Sequence, residues 1–200
     1  MKLFYSTTSP FARKVLMVLL VTDLIEKTEL VLTNPLEDET LRQTNSLGKI
    51  PALVDYNLSL VDSPLICEYL DDLSVQAGNL SLFRKGENDY YHIQLIHAQA
   101  DGILDAAVAM VYEGRRSDAE KSSYWLERWR KAVTGTLAGL NINDLGDARR
   151  PHIGTLAAVA ALGYLDFRLP DLAWRTQYPE LAAWFGTLEY LPWIKNTAPK

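Results

Sequence analysis

The hydropathy pattern of the sequence changes once, near residue 79, and this change restricts the possible folds more than any other feature. After that point only helical patterns occur. Before it, helical patterns alternate with four short β-like runs: Lys2–Tyr5, Glu29–Leu32, Ala52–Asp55 and Ser59–Val61. Alternating strands and helices are typical of an α/β unit, and a run of helices alone is typical of an all-α unit. We therefore predict an α/β domain at residues 1–78 and an all-helical domain at residues 79–200, with a linker at Gln76–Asn79.

Charge and cysteine content exclude several classes of protein. The 200 residues carry a formal net charge of -5, so the concentrated basic surface that nucleic acid binding requires is missing. The apolar run at Val15–Val21 is far shorter than the roughly 20 residues needed to span a bilayer. A single cysteine excludes an intrachain disulfide, and the three histidines lack the spacing of metal ligands. We expect a cytoplasmic protein with no metal site, no nucleic acid partner and no membrane span.

Two predicted helices of the first domain begin with serine followed by proline, at Ser9-Pro10 and at Ser63-Pro64. Serine is a preferred N-cap, and proline suits the first helical position because its missing N–H would be unpaired there in any case. Each helix start presents unpaired N–H groups and the positive end of a dipole, so each can bind an anion. With Asp62 beside it, Ser63 would suit an amino-acid head group. The alternative is that both serines are only caps and that Asp62 is a solvated turn residue.

Four motifs, in this order along the chain, resemble those of the cytosolic glutathione S-transferases. They are YSTTSPFARKV at 5–15, GKIPAL at 48–53, DSPLI at 62–66 and AALGYLDFR at 160–168. The resemblance implies a thioredoxin-like N-terminal domain, an all-helical C-terminal domain and a homodimer. It also implies that glutathione is the co-substrate and that a small hydrophobic electrophile is the second substrate.

The resemblance assigns the glutathione contacts to five residues. Ile50 is expected to pair its backbone with the cysteinyl part of glutathione, and Pro51 to be the cis-proline that turns this backbone outward. Asp62 and Ser63 are expected to hold the γ-glutamyl end of the peptide. Lys49 is expected to meet the glycine carboxylate.

Ser9 is the expected catalytic hydroxyl, because it occupies the position where thiol-transferring relatives carry a nucleophilic cysteine. Thr8 is the alternative, since related serine-type classes place their hydroxyl one residue earlier. The electrophile is expected to lie against Phe11 and against the long helix near Val108, Val111 and Tyr112.

Two other functions stay open, and one structural departure is expected. The first alternative is a glutathione-binding regulatory protein that keeps the family fold but has little catalytic turnover. A glutathione-dependent thiol reductase would depend on Cys67, which we interpret as a core residue. His152 and Thr155 stand where many family members carry the two residues of a capping box, so we expect this helix start to be satisfied differently.

Overall fold

The computed structural model describes all 200 residues and contains four strands and nine α-helices. The first part of the chain alternates between the two kinds of element. Its elements are β1 (Lys2–Tyr5), α1 (Pro10–Val21), β2 (Glu29–Leu32), α2 (Glu39–Thr44), β3 (Ala52–Asp55), β4 (Leu58–Val61) and α3 (Ser63–Gln76). The predicted strands are confirmed, except that β4 begins one residue earlier than expected.

The four strands form one mixed sheet in the order β2-β1-β3-β4. β1 is parallel to β2 and antiparallel to β3, and β3 is antiparallel to β4. Successive strand residues point to opposite faces of a sheet. On one face Phe4 and Ala52 pack against Leu41 of α2, while Leu3 and Leu53 are fully buried on the other. Because α1 packs against α3 and α3 contacts β3 and β4, this arrangement confirms the predicted thioredoxin-like domain.

The rest of the chain is helical, as predicted. Its elements are α4 (Tyr90–Gly114), α5 (Ser123–Gly139), α6 (Ile153–Arg168), α7 (Trp174–Gln177), α8 (Pro179–Gly186) and α9 (Pro192–Lys195). Every residue from 153 to 162 is buried, which confirms that α6 is a central helix covered on all sides. The prediction for α5 is wrong in its first half. Trp125 is exposed, and only Val133 and Leu137 of this helix are buried.

The chain packs into two compact units that differ in extent from the predicted domains. Unit 1 contains Met1–Tyr90 together with Leu191–Lys200, and unit 2 contains Tyr91–Tyr190. The segment after residue 78 belongs to unit 1 because the buried carboxylate of Asp71 accepts hydrogen bonds from the Ser81 hydroxyl (2.7 Å) and the Leu82 N–H (2.6 Å). The assignment of 1–78 to glutathione binding and of 79–200 to the electrophile pocket stays a prediction.

The start of α6 has a reciprocal cap. The imidazole Nδ1 of His152 accepts a hydrogen bond from the Thr155 N–H (3.2 Å), and the Thr155 hydroxyl oxygen accepts one from the His152 N–H (3.1 Å). The same hydroxyl donates to the carbonyl of Leu145 (2.7 Å). A histidine and a threonine therefore form the two hydrogen bonds of a capping box. This confirms the expectation that other residue types pair the backbone N–H groups at this helix start.

None of the helices combines the length and the apolar composition that a membrane span requires.

Candidate functional site

Strand register brings three of the predicted site segments to one end of the sheet. Phe4, near the end of β1, pairs with Ala52 at the start of β3, and Ala52 pairs with Val61 at the end of β4. The loop after β1, the residues before β3 and the residues after β4 therefore lie side by side. These positions hold Thr8 and Ser9, then Ile50 and Pro51, then Asp62 and Ser63. Phe11 follows as the second residue of α1 and is half-buried.

Ser9 is the N-cap of α1, as predicted. Its hydroxyl oxygen accepts a hydrogen bond from the backbone N–H of Ala12 at 3.2 Å. A serine hydroxyl has one O–H donor in addition to its acceptor lone pairs, and this cap uses only a lone pair. Capping therefore fixes the position of the Ser9 oxygen and leaves its proton available for donation. Thr8, one residue earlier, is half-buried, and its hydroxyl makes no hydrogen bond in the protein.

Ser63 is not the N-cap of α3, and this prediction is wrong. Asp62 occupies the cap position, and Ser63 is already the first helical residue. The hydroxyl of Ser63 is buried and has no hydrogen-bond partner in the protein. A buried polar group without a partner costs about 1–3 kcal/mol of stability. The Ser63 hydroxyl therefore has hydrogen-bonding capacity that the protein does not use.

Asp62 has an unusual backbone conformation at the start of α3. Its φ of 73° with a ψ of 128° lies in a region that L-residues rarely adopt, and such conformations cost on the order of 1–3 kcal/mol. The Asp62 side chain makes no capping hydrogen bond and is exposed. Its carboxylate is thus held at the helix start without being used by the helix.

The loop between α2 and β3 is closed by Asn45, which sequence reasoning missed. The buried Asn45 donates from its side-chain amide to the carbonyl of Lys49 (2.8 Å) and accepts from the Leu47 N–H (3.0 Å). Gly48 has a φ of 61°, and the peptide bond between Ile50 and Pro51 is cis, as expected. Asparagine is a residue type that forms such side-chain-to-backbone turns. An asparagine shortly before a glycine is therefore the sequence signal that could have predicted this turn.

Arg42 is a second residue that sequence reasoning missed. Its guanidinium lies against Gly48, where an added Cβ would come within 2.9 Å of the Arg42 Nη1. Its only acidic partner is Glu39, at 3.8 Å. Lys49, the predicted cation, is exposed. Arg42 on α2 therefore adds a second cationic side chain beside the loop that carries Lys49.

Cys67 is fully buried on α3, as its interpretation as a core residue requires. The thiol lies inside the unit rather than on the surface.

Comparison with known proteins shows the family. Residues 3–77 match the model of the glutathione S-transferase N-terminal domain. The uncharacterized GST-like protein YibF of Escherichia coli K12 is 32% identical over 186 residues, which is 90% of both chains. The chain belongs to the glutathione S-transferase family.

Solved structures confirm the fold of this glutathione S-transferase over its whole length. A glutathione transferase family member from Pseudomonas fluorescens Pf-5, crystallised with bound glutathione, is 35% identical with a TM-score of 0.92. The alignment covers 100% of this chain and 98% of that one. A structure of a Pseudomonas fluorescens Pf-5 family member with bound S-(propanoic acid)-glutathione gives 33% identity and a TM-score of 0.88, with 100% of both chains covered.

Proposed function

We propose that this family member is a glutathione transferase that conjugates the thiolate of glutathione to a small electrophile. The observation that carries the proposal is the Ser9 hydroxyl. The α1 cap fixes its oxygen and leaves its proton free, at the end of the sheet that also holds Ile50 and Ser63. Glutathione bound in the relative from Pseudomonas fluorescens Pf-5 supports the choice of co-substrate.

Glutathione fits the polar groups that the protein leaves unused at this end of the sheet. The Ser63 hydroxyl and the N–H groups at the start of α3 bind the γ-glutamyl carboxylate, and Asp62 accepts hydrogen bonds from the neighbouring ammonium group. Ile50 pairs its backbone with the cysteinyl residue. Lys49 and Arg42 attract the glycine carboxylate. Arg42 was not among the residues predicted from the sequence.

Catalysis requires that bound glutathione ionise at neutral pH. An unperturbed thiol has a pKa of about 8.5, so only a few per cent is thiolate. A hydrogen bond to a charged group contributes roughly 1.5–3 kcal/mol, and one pKa unit corresponds to about 1.4 kcal/mol. A hydrogen bond from the Ser9 hydroxyl, together with the dipole of α1, therefore lowers the thiol pKa by about one to two units. Most of the bound glutathione is then reactive near neutral pH.

Conjugation is supported over thiol reduction by two observations. The catalytic position holds Ser9 rather than a cysteine, and the only cysteine, Cys67, is fully buried. The ligand of one solved relative, S-(propanoic acid)-glutathione, carries a carbon substituent on sulfur, as a conjugation product does. The electrophile, the homodimer and the cytoplasmic location stay predictions.

The proposal is tested by measuring glutathione binding and turnover together. Calorimetry should show glutathione binding that is weakened by Ser63→Ala, whereas Ser74→Ala, at a buried serine elsewhere on α3, should leave it unchanged. An aryl halide, a benzyl halide and an unsaturated ketone form the electrophile panel. At least one of these electrophiles should react with glutathione faster in the presence of the protein than in buffer alone. Ser9→Ala should abolish most of this enzymatic rate. Binding without turnover would instead indicate a regulatory protein, and disulfide exchange that requires Cys67 would indicate a reductase.

A further inference from the structure

The first turn of α1, which carries Ser9, lacks two devices that often hold a helix start. A capping box usually has Glu or Gln at the third helical position, and a hydrophobic staple has an apolar residue at the fourth. These positions hold Ala12 and Arg13. No acidic side chain lies in the first turn to interact with the helix dipole. Another contact is therefore needed to fix the position of the Ser9 oxygen.

Arg13 connects this turn to the C-terminal segment of the same unit. Its backbone N–H donates to the Ser9 carbonyl (3.0 Å). Its guanidinium donates from Nε to the Thr197 hydroxyl and from Nη2 to the carbonyl of Ile194, each at 3.4 Å. Both distances are long for hydrogen bonds, but the two N–H groups belong to one planar, rigid group, so together they restrict its position. Arg13 is therefore bonded to Ser9 at one end and to the C-terminal segment at the other.

The C-terminal end of this connection is itself held in place. The Thr197 hydroxyl donates to the carbonyl of Trp193 (2.7 Å) while it accepts from Arg13, which a hydroxyl can do at the same time. Arg13, Ile194 and Thr197 are each no more than 9% exposed. Burial strengthens such hydrogen bonds, because water does not compete for the same groups.

We propose that Arg13 and Thr197 are positioning residues that clamp the first turn of α1 and so hold the Ser9 hydroxyl where it donates to the thiolate of glutathione. A hydrogen bond weakens steeply as its geometry departs from the optimum. A small movement of this turn therefore reduces the stabilisation of the thiolate. Both residues act through Ser9 and need no contact with glutathione. The effect on the thiolate rests on the proposed transferase function, whereas the clamp itself does not.

The charge of Arg13 offers a competing explanation. Arg13 lies about one helical turn from Ser9, and a nearby cation by itself favours a thiolate. Thr197→Val separates the two explanations, because it removes an acceptor of the clamp and keeps the charge. Arg13→Lys also keeps the charge and retains a donor for one acceptor at a time. Arg13→Met removes both the charge and the donors.

Thr22→Val is the matched control for Thr197→Val. Thr22 lies at the other end of α1 and is 4% exposed. Its hydroxyl donates to the carbonyl four residues earlier at 2.7 Å, as that of Thr197 does. The same substitution therefore removes the same local hydrogen bond at a buried site, but it does not touch the clamp.

The clamp is tested first without glutathione, by amide hydrogen exchange of the full-length protein measured by NMR. The amides of Ala12 and Arg13 report on this turn, because both donate to Ser9. Their exchange, relative to that of the buried Leu70 amide in α3, should be about threefold or more faster in Thr197→Val and Arg13→Met than in wild type. Thr22→Val should leave this ratio unchanged. An unchanged ratio in both clamp variants, or an equal rise in the control, would overturn the proposal.

The thiol of bound glutathione is titrated second, by its ultraviolet absorbance. Its pKa should rise by about half a unit or more in Thr197→Val and Arg13→Met, as part of the shift assigned to Ser9. Arg13→Lys should raise it less, and Thr22→Val should leave it unchanged. With one electrophile, kcat near neutral pH should fall in the clamp variants while the KM for glutathione stays within about twofold of wild type. A higher thiol pKa in Arg13→Met alone would assign the effect to the charge and overturn the clamp.

Failure of the clamp and failure of the transferase function give different results. If Ser9→Ala raises the thiol pKa and the clamp variants do not, the positioning role of Arg13 and Thr197 is rejected and the transferase function stands. If the wild-type complex shows neither a lowered thiol pKa nor turnover, the transferase function is contradicted. A faster exchange of the Ala12 and Arg13 amides in Thr197→Val would still support the clamp in that case.

Discussion

At the scale of single residues, the hydroxyl groups of the candidate site differ in how much of their hydrogen-bonding capacity the protein uses. Ser9 accepts one hydrogen bond and keeps its proton. Ser63 is buried and makes none, and Thr8 is half-buried and also makes none. A fixed oxygen with a free proton suits the stabilisation of a thiolate. A buried hydroxyl with no partner suits the binding of a ligand.

Replacement of Ser9 tests its assigned role. Ser9→Ala removes a donor to the thiolate, and the loss of roughly 1.5–3 kcal/mol corresponds to a fall in kcat/KM of about 10- to 100-fold. The pH at which kcat/KM reaches half its maximum should rise by about one unit or more, because the bound thiol ionises less readily. Thr8→Ala should change both quantities little. Steady-state kinetics as a function of pH with one electrophile measures both.

Ser9→Ala also removes a helix cap, which needs a separate control. Ser122 caps α5 in the same way, accepting from the Trp125 N–H at 3.3 Å. Ser9→Ala and Ser122→Ala should each lower the free energy of unfolding by about 0.5–2 kcal/mol. Only the first should shift the pH profile. A shift of similar size in Ser122→Ala would show that lost stability, and not a lost donor, explains the kinetics.

Asp62 should show opposite effects on stability and binding. Asp62→Gly relieves the unusual backbone conformation, so the free energy of unfolding should rise by about 1 kcal/mol. Glutathione affinity should fall at least several-fold, because the contact of the carboxylate with the ammonium group is lost. Asp62→Asn should lose affinity with little change in stability. Urea denaturation and calorimetry distinguish these results; a glycine variant that binds glutathione as well as wild type would exclude Asp62 from the site.

At the scale of elements, the sequence predicts where helices and strands lie better than how they begin. The β-like runs and the amphipathic patterns locate the sheet and the helices α1, α3, α4 and α6. The cap of α1 is confirmed, but that of α3 is shifted by one residue to Asp62, since a cap depends on backbone angles that residue type does not fix. The aromatic residues of α5 illustrate a second limit. Spacing shows which residues share a face and does not show what covers that face.

The site itself is only partly accessible from sequence. The motifs select Ser9, Ile50, Pro51 and Ser63, and strand register then places them at one end of the sheet. The contributions of Asn45 and Arg42 depend on how the loop before β3 closes on itself. The Asn45 contacts are local, since they reach only residues 47 and 49, and a turn-forming asparagine near Gly48 is the sequence signal for them. The approach of Arg42 to Gly48 depends on how α2 meets this loop, and no local pattern encodes it.

The reciprocal cap of α6 can be tested by a double-mutant cycle. His152→Ala should lower the free energy of unfolding by about 1–2 kcal/mol. Thr155→Val should lower it by about 1–3 kcal/mol, because the carbonyl of Leu145 also loses its donor. The double variant should lose less than the sum of the two, since both changes break one motif. His152→Asn restores a capping side chain but not the contact of the imidazole Nε2 with the Asp144 carbonyl (3.0 Å), so it should recover only part of the stability that His152→Ala loses in urea denaturation. Strict additivity would contradict the reciprocal cap.

At the scale of the whole molecule, the two ends of the sequence meet in unit 1. The last ten residues pack with the first ninety, and α9 contacts α1. The buried Arg13 of α1 donates to the Thr197 hydroxyl and to the carbonyl of Ile194, each at 3.4 Å. The C-terminal segment is therefore part of the framework that supports α1 and its Ser9 cap.

Ile194 should carry much of this support. It is buried on α9, and truncation of a buried isoleucine to alanine typically costs about 2–5 kcal/mol. Ile194→Ala should lower the free energy of unfolding by about this amount. Lys195→Ala, at the exposed neighbouring position, should change it little. Equal stability of the two variants in urea denaturation would show that the segment does not stabilise the unit.

The central claim is that one serine hydroxyl at the start of α1 makes bound glutathione acidic, and titration of the bound thiol tests it most directly. The thiolate is followed by its ultraviolet absorbance while the pH of the wild-type complex is raised, with Ser9→Ala and the unbound peptide as references. The thiol pKa should lie about one to two units below 8.5 in the wild-type complex, and it should return toward that value in Ser9→Ala. A bound thiol that ionises at the same pH as free glutathione would contradict the claim.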